Sequence, residues 1–173
     1  TEPDAGGDPG SMRTTAVRDG DHYVINGLKR FITGADSADF VQIICVTDRE
    51  KMARGGISCI LADMSTPGIE VLRKQETMMD DRPCEVAFTD VRVPVENLVG
   101  NEGDGFRMAQ RWITYGRMRH GPIGLGTMER CLELGSSYAN DRVTFGAKLA
   151  DRQAVQWMLV DTYADIHMFR PML

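Results

Sequence analysis

The chain has 173 residues, of which 42% are hydrophobic and 26% charged, and a formal net charge of -5. That composition is ordinary globular material with enough apolar side chain for a sizeable core, which excludes a disordered polymer. The acidic balance offers a phosphodiester backbone no broad basic surface, and no uninterrupted apolar run approaches bilayer-spanning length, so neither nucleic acid nor a membrane span is expected.

The opening stretch, Thr1-Glu2-Pro3-Asp4-Ala5-Gly6-Gly7-Asp8, reads as a turn in which Pro3 fixes φ while Gly6 and Gly7 let the backbone come close to whatever faces it. With no element before it to turn from, it reads as part of a longer protein. On local chemistry alone, a frayed end is the favoured reading over a ligand-facing loop. Up to about Gly100 the pattern is strand-like. Met12 to Val17 and His22 to Asn26 flank Asp19-Gly20-Asp21, a hairpin signal, and Phe40 to Thr47, Ile57 to Met64, Ile69 to Leu72 and Glu85 to Thr89 follow between turn residues. Short strands at this spacing predict an antiparallel barrel or sandwich, ended by Val91 to Asn97 because Pro94 cannot donate inside a central strand.

The period then changes. From Gly105 to about Asp141 the residues Phe106, Ala109 and Ile113 recur at helical spacing, with Met108, Trp112 and Tyr115 as a second stripe. Glycines at 116, 121, 124 and 126 and Pro122 predict one long helix with an irregular middle, two helices being the alternative. Asp151 is the predicted N-cap of a last helix from Arg152 to about Phe169, whose apolar residues on more than one face call for neighbours on both sides. The fold class is therefore α+β: an antiparallel β-barrel or sandwich over residues 1–100, then the first helices of an antiparallel helical bundle over residues 101–173.

Cys45, Cys59, Cys84 and Cys131 lack C-x-x-C spacing and mostly sit in apolar runs, which reads as reduced, buried thiols in a reducing compartment. The cytoplasm is the expectation, with the mitochondrial matrix as alternative. His22, His120 and His167 are too far apart to suggest a metal site.

Five segments in order carry a resemblance: Thr1-Glu2-Pro3-Asp4-Ala5-Gly6; Ile25-Asn26-Gly27-Leu28-Lys29-Arg30-Phe31-Ile32-Thr33-Gly34; Thr66-Pro67-Gly68-Ile69; Asp90-Val91-Arg92-Val93-Pro94 through Asn97; and Asp141-Arg142-Val143-Thr144-Phe145-Gly146 followed by Gln153. Over nearly its whole length the chain resembles the middle and early C-terminal part of an acyl-CoA dehydrogenase. The resemblance implies FAD held between the middle β domain and a C-terminal helical domain and across a dimer interface, in a homodimer or homotetramer. It also implies α,β-dehydrogenation of an acyl-CoA thioester, with hydride passing to flavin N5 and electrons leaving to an electron-transferring flavoprotein. An acyl-CoA oxidase, a flavin monooxygenase relative and a non-catalytic acyl-CoA-binding scaffold are the alternatives.

Residue by residue, the resemblance puts Thr1 at the pyrimidine side of the flavin, Phe31 against the ring, and the Thr33 hydroxyl near N5, with Ile32 between them also counted as cofactor-binding. Phe31 stands where the family usually has tryptophan. Arg142, Thr144 and Gln153 match residues that reach the pyrophosphate and adenosine of the neighbouring subunit's FAD, while Phe145 reads as packing. Gly7, where the family often has serine, and Arg117 match contacts to the CoA portion. Gly116 falls where some members keep a catalytic glutamate and Thr114 where an acidic residue is commoner, so the base is expected outside this chain.

Overall fold

The computed structural model describes every residue from Thr1 to Leu173. Six strands form where the alternating segments stand: β1 (Thr15–Asp19), β2 (His22–Ile32), β3 (Phe40–Val46), β4 (Ile57–Asp63), β5 (Ile69–Lys74) and β6 (Cys84–Pro94). The long helix α1 (Gly105–Asp141) follows, then a small hairpin of β7 (Val143–Thr144) and β8 (Ala147–Lys148), then α2 (Gln153–Phe169). The chain packs as two compact units, Thr1–Arg111 and Trp112–Leu173. No helix is long and apolar enough to cross a membrane.

In the first unit the strands form one sheet in the order β4-β3-β1-β2-β6-β5. The α+β class stands, but the sheet is open and mixed where a closed antiparallel barrel was one of the two expected forms. β2 has both edges taken, by β1 and β6, so β3 adds outside β1. Because β3 sets off from the end at which β2 finishes, it runs antiparallel to β2 and so parallel to β1, meeting it at Thr15 and Val46.

The core lies in the alternating residues. Tyr23 and Ile25 of β2, Ile43 and Cys45 of β3, Ile60 of β4, and Val86 and Phe88 of β6 form one buried cluster. Burying each large side chain this fully contributes about 1.5–3 kcal/mol before entropy is counted. β6 runs further than expected because of Asp90, at φ 48°. The shifted register there rephases the alternation so that Val91 and Val93 also point inward. Asn26 holds the irregularity, accepting from the Asp90 amide at 2.9 Å and donating to its carboxylate at 3.0 Å. Pro94 fits as the last residue of the strand, where its missing N–H costs nothing.

Two glycines mark close approaches. A Cβ on Gly27 would lie 2.7 Å from the Cα of Thr14, so β2 runs hard against the segment entering β1. A Cβ on Gly105 would lie 2.3 Å from the Ser58 carbonyl carbon, so α1 starts directly on β4. Buried Ser58 ties this corner, accepting from the Gly103 amide at 2.9 Å and sharing a proton with the Thr47 hydroxyl at 2.8 Å.

In the second unit α1 is continuous through Pro122, whose ring nitrogen leaves the Met118 carbonyl without its helical donor. Gly121 lies against Leu173 and Phe169, and Gly135 against Leu159, which is the close helix approach that glycine permits. Arg170, in the turn after α2, pairs with Glu129 of α1. Asp151 is not the N-cap: a 3₁₀ turn over Leu149–Asp151 takes it up, and α2 starts after Arg152, which caps without a side-chain hydrogen bond. Trp112, Ile113 and Met118 of α1 and Trp157, Met158, Val160 and Tyr163 of α2 are exposed. Cys45, Cys59 and Cys84 are buried as expected, and Cys131 is exposed.

Candidate functional site

The opening turn is fixed in place. Glu2 and Ala5 exchange backbone hydrogen bonds of 2.7 and 3.3 Å, and the Thr1 carbonyl accepts from the Arg30 amide at 2.8 Å. The Glu2 side chain turns inward and is only 6% exposed. Its Oε1 accepts from Lys29 Nζ at 2.8 Å and from the Thr14 amide at 3.1 Å, and its Oε2 accepts from the Arg13 amide at 2.7 Å. Burial is the largest influence on this carboxyl and pushes its pKa up, but the hydrogen bonds from Lys29, Thr14 and Arg13 and the ammonium charge outweigh it and bring the pKa down to about 2. The Thr1 turn is therefore strapped to β2 at Lys29 and Arg30, where the strand breaks its register.

That break lies between Lys29 and Ile32. In it Phe31 sits at φ 59°, a region that costs a bulky L-residue strain, with the residue 54% exposed and the Arg30 guanidinium 5.4 Å from the ring centroid. Arg30 Nε lies 3.1 Å from Glu85, near enough for an ion pair but out of line for a hydrogen bond. Just past the strand, exposed Thr33 opens a turn whose cap is Ser37: both the amide and the hydroxyl of Ser37 donate to the Gly34 carbonyl, at 3.1 and 3.3 Å. Lys74 holds the same turn through Asp36 at 2.6 Å, and this partner keeps the Asp36 carboxyl below its usual pKa. The Thr33 hydroxyl caps nothing. Together with Ile32, Ala35, Ala38, Phe40, Val41, Gln42 and Met64 it lines a cleft of about 250 Å³.

Thr1, Phe31, Ile32 and Thr33 are thus brought to one end of the sheet. Gly7 follows the Thr1 turn with nothing within 4 Å of where a Cβ would stand, so a serine there meets no obstacle. A free hydroxyl, an outward aromatic face and an unobstructed glycine backbone suit a flat ligand with both polar and apolar edges.

In the second unit, Phe145 and Gly146 turn the β7–β8 hairpin with φ of 50° and 77°. Phe145 does no packing inside this chain: it is fully exposed, with only the Arg152 guanidinium 5.7 Å from its ring centroid. Arg152, which sequence reasoning passed over, donates from Nη2 to the Thr144 carbonyl at 2.7 Å and to the Thr144 hydroxyl at 3.2 Å. The Thr144 hydroxyl is therefore engaged within the chain, whereas Arg142 is exposed and makes no ion pair with Asp141 or Asp151. Gln153 is the exposed first residue of α2, and Arg117 is exposed on α1. Between Gly105 and Met128, α1 carries no carboxylate.

Two family models match, one described as "Acyl-CoA dehydrogenase, middle domain" over residues 1–91 and one as "Acyl-CoA dehydrogenase, C-terminal domain" over residues 103–173. The chain belongs to the acyl-CoA dehydrogenase family. It is 38% identical to the mitochondrial isobutyryl-CoA dehydrogenase of Dictyostelium discoideum, over 100% of this chain and 42% of that one. Among solved structures, the butyryl-CoA dehydrogenase of Megasphaera elsdenii superposes with a TM-score of 0.91 at 34% identity, covering 99% of this chain and 45% of the other. A structure described as PigA with FAD and proline superposes with a TM-score of 0.89 at 30% identity, covering 99% and 45%. The chain thus spans less than half the length of these relatives.

Proposed function

We propose that this protein is an FAD-dependent acyl-CoA dehydrogenase that converts a saturated acyl-CoA thioester to its 2-enoyl thioester and passes the electrons to an electron-transferring flavoprotein. The observation that carries this reading is the uncapped Thr33 hydroxyl beside an outward-facing Phe31, both next to the strapped Thr1 turn. Those residues fit an isoalloxazine: the Thr33 hydroxyl is a donor free for a ring nitrogen, Phe31 covers a ring face, and Thr1 supplies polar contacts at the pyrimidine end. When bound, FAD supplies the hydride-accepting ring.

The chain's own residues then hold and orient. A donor at Thr33 favours negative charge where the hydride arrives, and Arg142 and Gln153 are assigned to the diphosphate and adenosine of a neighbouring subunit's cofactor, for which a guanidinium fork is suited. Thr144 joins them through its backbone, since its hydroxyl serves Arg152. Gly7 and Arg117 are assigned to the CoA portion. α1 carries no carboxylate before Glu129, and the glutamate base is assigned to a part of the protein other than this chain.

The test is anaerobic mixing of the full-length, FAD-loaded protein with a saturated acyl-CoA. Thr33→Val is expected to slow bleaching of the flavin band about 10-fold or more while FAD content stays near wild type. Unchanged reduction kinetics would remove Thr33 from N5. Rapid reoxidation of the reduced flavin by oxygen would favour an oxidase.

A further inference from the structure

The Glu2–Lys29 pair stands apart from the other ion pairs of the first unit. Lys29 is 7% exposed and Glu2 6%, whereas the pairs Arg13–Asp4, Arg92–Asp19 and Arg82–Asp80 lie on the surface. Two charges leave water here, with Val86 of β6 opposite Lys29, and replacing such a pair by well-packed hydrophobic side chains of similar volume is often neutral or stabilising. Stability alone is therefore a poor reason for it. Its connections suggest another: one carboxylate gathers the Thr1 turn, the Arg13–Thr14 amides and β2 at Lys29. The next amide along β2, that of Arg30, holds the Thr1 carbonyl, and the next residue is Phe31 at φ 59°.

We infer that Glu2 and Lys29 are positioning residues that hold the Thr1 turn in register with the Phe31–Thr33 wall, so that both sides of the ligand-binding end are set before a ligand arrives. This rests on the flavin reading of that end. Neither residue is assigned a contact with the ring. They act by preorganisation, removing from binding the cost of ordering the turn.

The experiment compares the full-length apoprotein of wild type, Glu2→Gln, Lys29→Met and the Glu2→Gln/Lys29→Met double variant, with FAD as the titrant. The double variant has no stranded charge and is expected to stay folded, melting somewhat below wild type because the carboxamide oxygen can accept from only one of the Arg13 and Thr14 amides while its NH2 faces the other. It is nevertheless expected to bind FAD about tenfold or more weakly, with a shifted visible band and faster hydrogen exchange at the Arg30 amide, because the turn must now be ordered on binding. Wild-type FAD affinity, spectrum and Arg30 protection in the double variant would overturn the inference and leave the flavin reading intact. Wild-type protein that takes up no FAD would overturn both. Should the double variant not fold, Glu2→Asp keeps the charge and shortens the tether by one methylene; the same loss of FAD affinity is expected, and unchanged affinity would overturn the inference.

Discussion

Phe31 carries backbone strain of about 1–2 kcal/mol at its positive φ, and the largely exposed residue recovers little of that through burial. An exposed cation–π contact such as the one from Arg30 returns about 0.5–1 kcal/mol. Phe31→Asn tolerates the left-handed region and loses that contact, so the two effects offset. Apoprotein stability is expected to stay within about 0.5 kcal/mol of wild type in a denaturant melt while FAD affinity falls. A large loss of stability would mean that the ring packs for the fold. Glu2 behaves oppositely, because its role is internal. Its folded pKa of about 2 lies below its ordinary value of 4.5, so its contribution is fully present above about pH 4.5 and is lost as pH falls through 2. Glu2→Gln is expected to flatten the stability profile between those pH values; an unchanged acid limb in urea melts would show that other carboxyls set it.

Among the elements, the β7–β8 hairpin depends on a single arginine. Arg152→Ala removes two hydrogen bonds to Thr144 and the cation beneath Phe145, and is expected to cost about 1.5–3 kcal/mol and speed amide exchange across residues 143–148. A hairpin as protected as wild type would show that its turn residues suffice. Arg152 was not legible because in sequence it is simply the first residue of a predicted helix. Its importance comes from a 3₁₀ turn that shifts the helix start past Asp151 and leaves Arg152 facing back over the hairpin. The strands of the sheet were legible from their alternation, but their closure was not. Alternation tells which residues face inward, whereas the choice of an open order with one parallel pair follows from which edges are already occupied when β3 returns. The extension of β6 was hidden for a similar reason: Asp90 breaks the period, and only its cross-strand partner Asn26 shows that the break is a bulge and not an end. At the candidate site, Thr33 could be named from its motif, but that Ser37 relieves it of capping depends on how the turn folds.

At the scale of the whole molecule, the two units carry complementary parts of the assigned cofactor contacts: Thr1, Phe31, Ile32 and Thr33 in one, and Arg142, Thr144 and Gln153 in the other. If the second set serves a neighbouring subunit, cofactor and assembly are linked, since a ligand that bridges two copies stabilises their association. Arg142→Ala in the full-length protein is expected to lower FAD content and dimer stability together, measured by flavin absorbance and by sedimentation at falling concentration. Full flavin occupancy in that variant would remove Arg142 from the cofactor set.

The contact between Gly27 and Thr14 has a consequence for which substitutions this protein can survive. Any side chain at residue 27 must push back the backbone of Thr14, whose amide is one of the three donors on Glu2, and Glu2 in turn carries Thr1. A change in the middle of a β-strand would thus reach the opening turn through three successive residues. In a saturation library scored for flavin content, even alanine at residue 27 should be depleted.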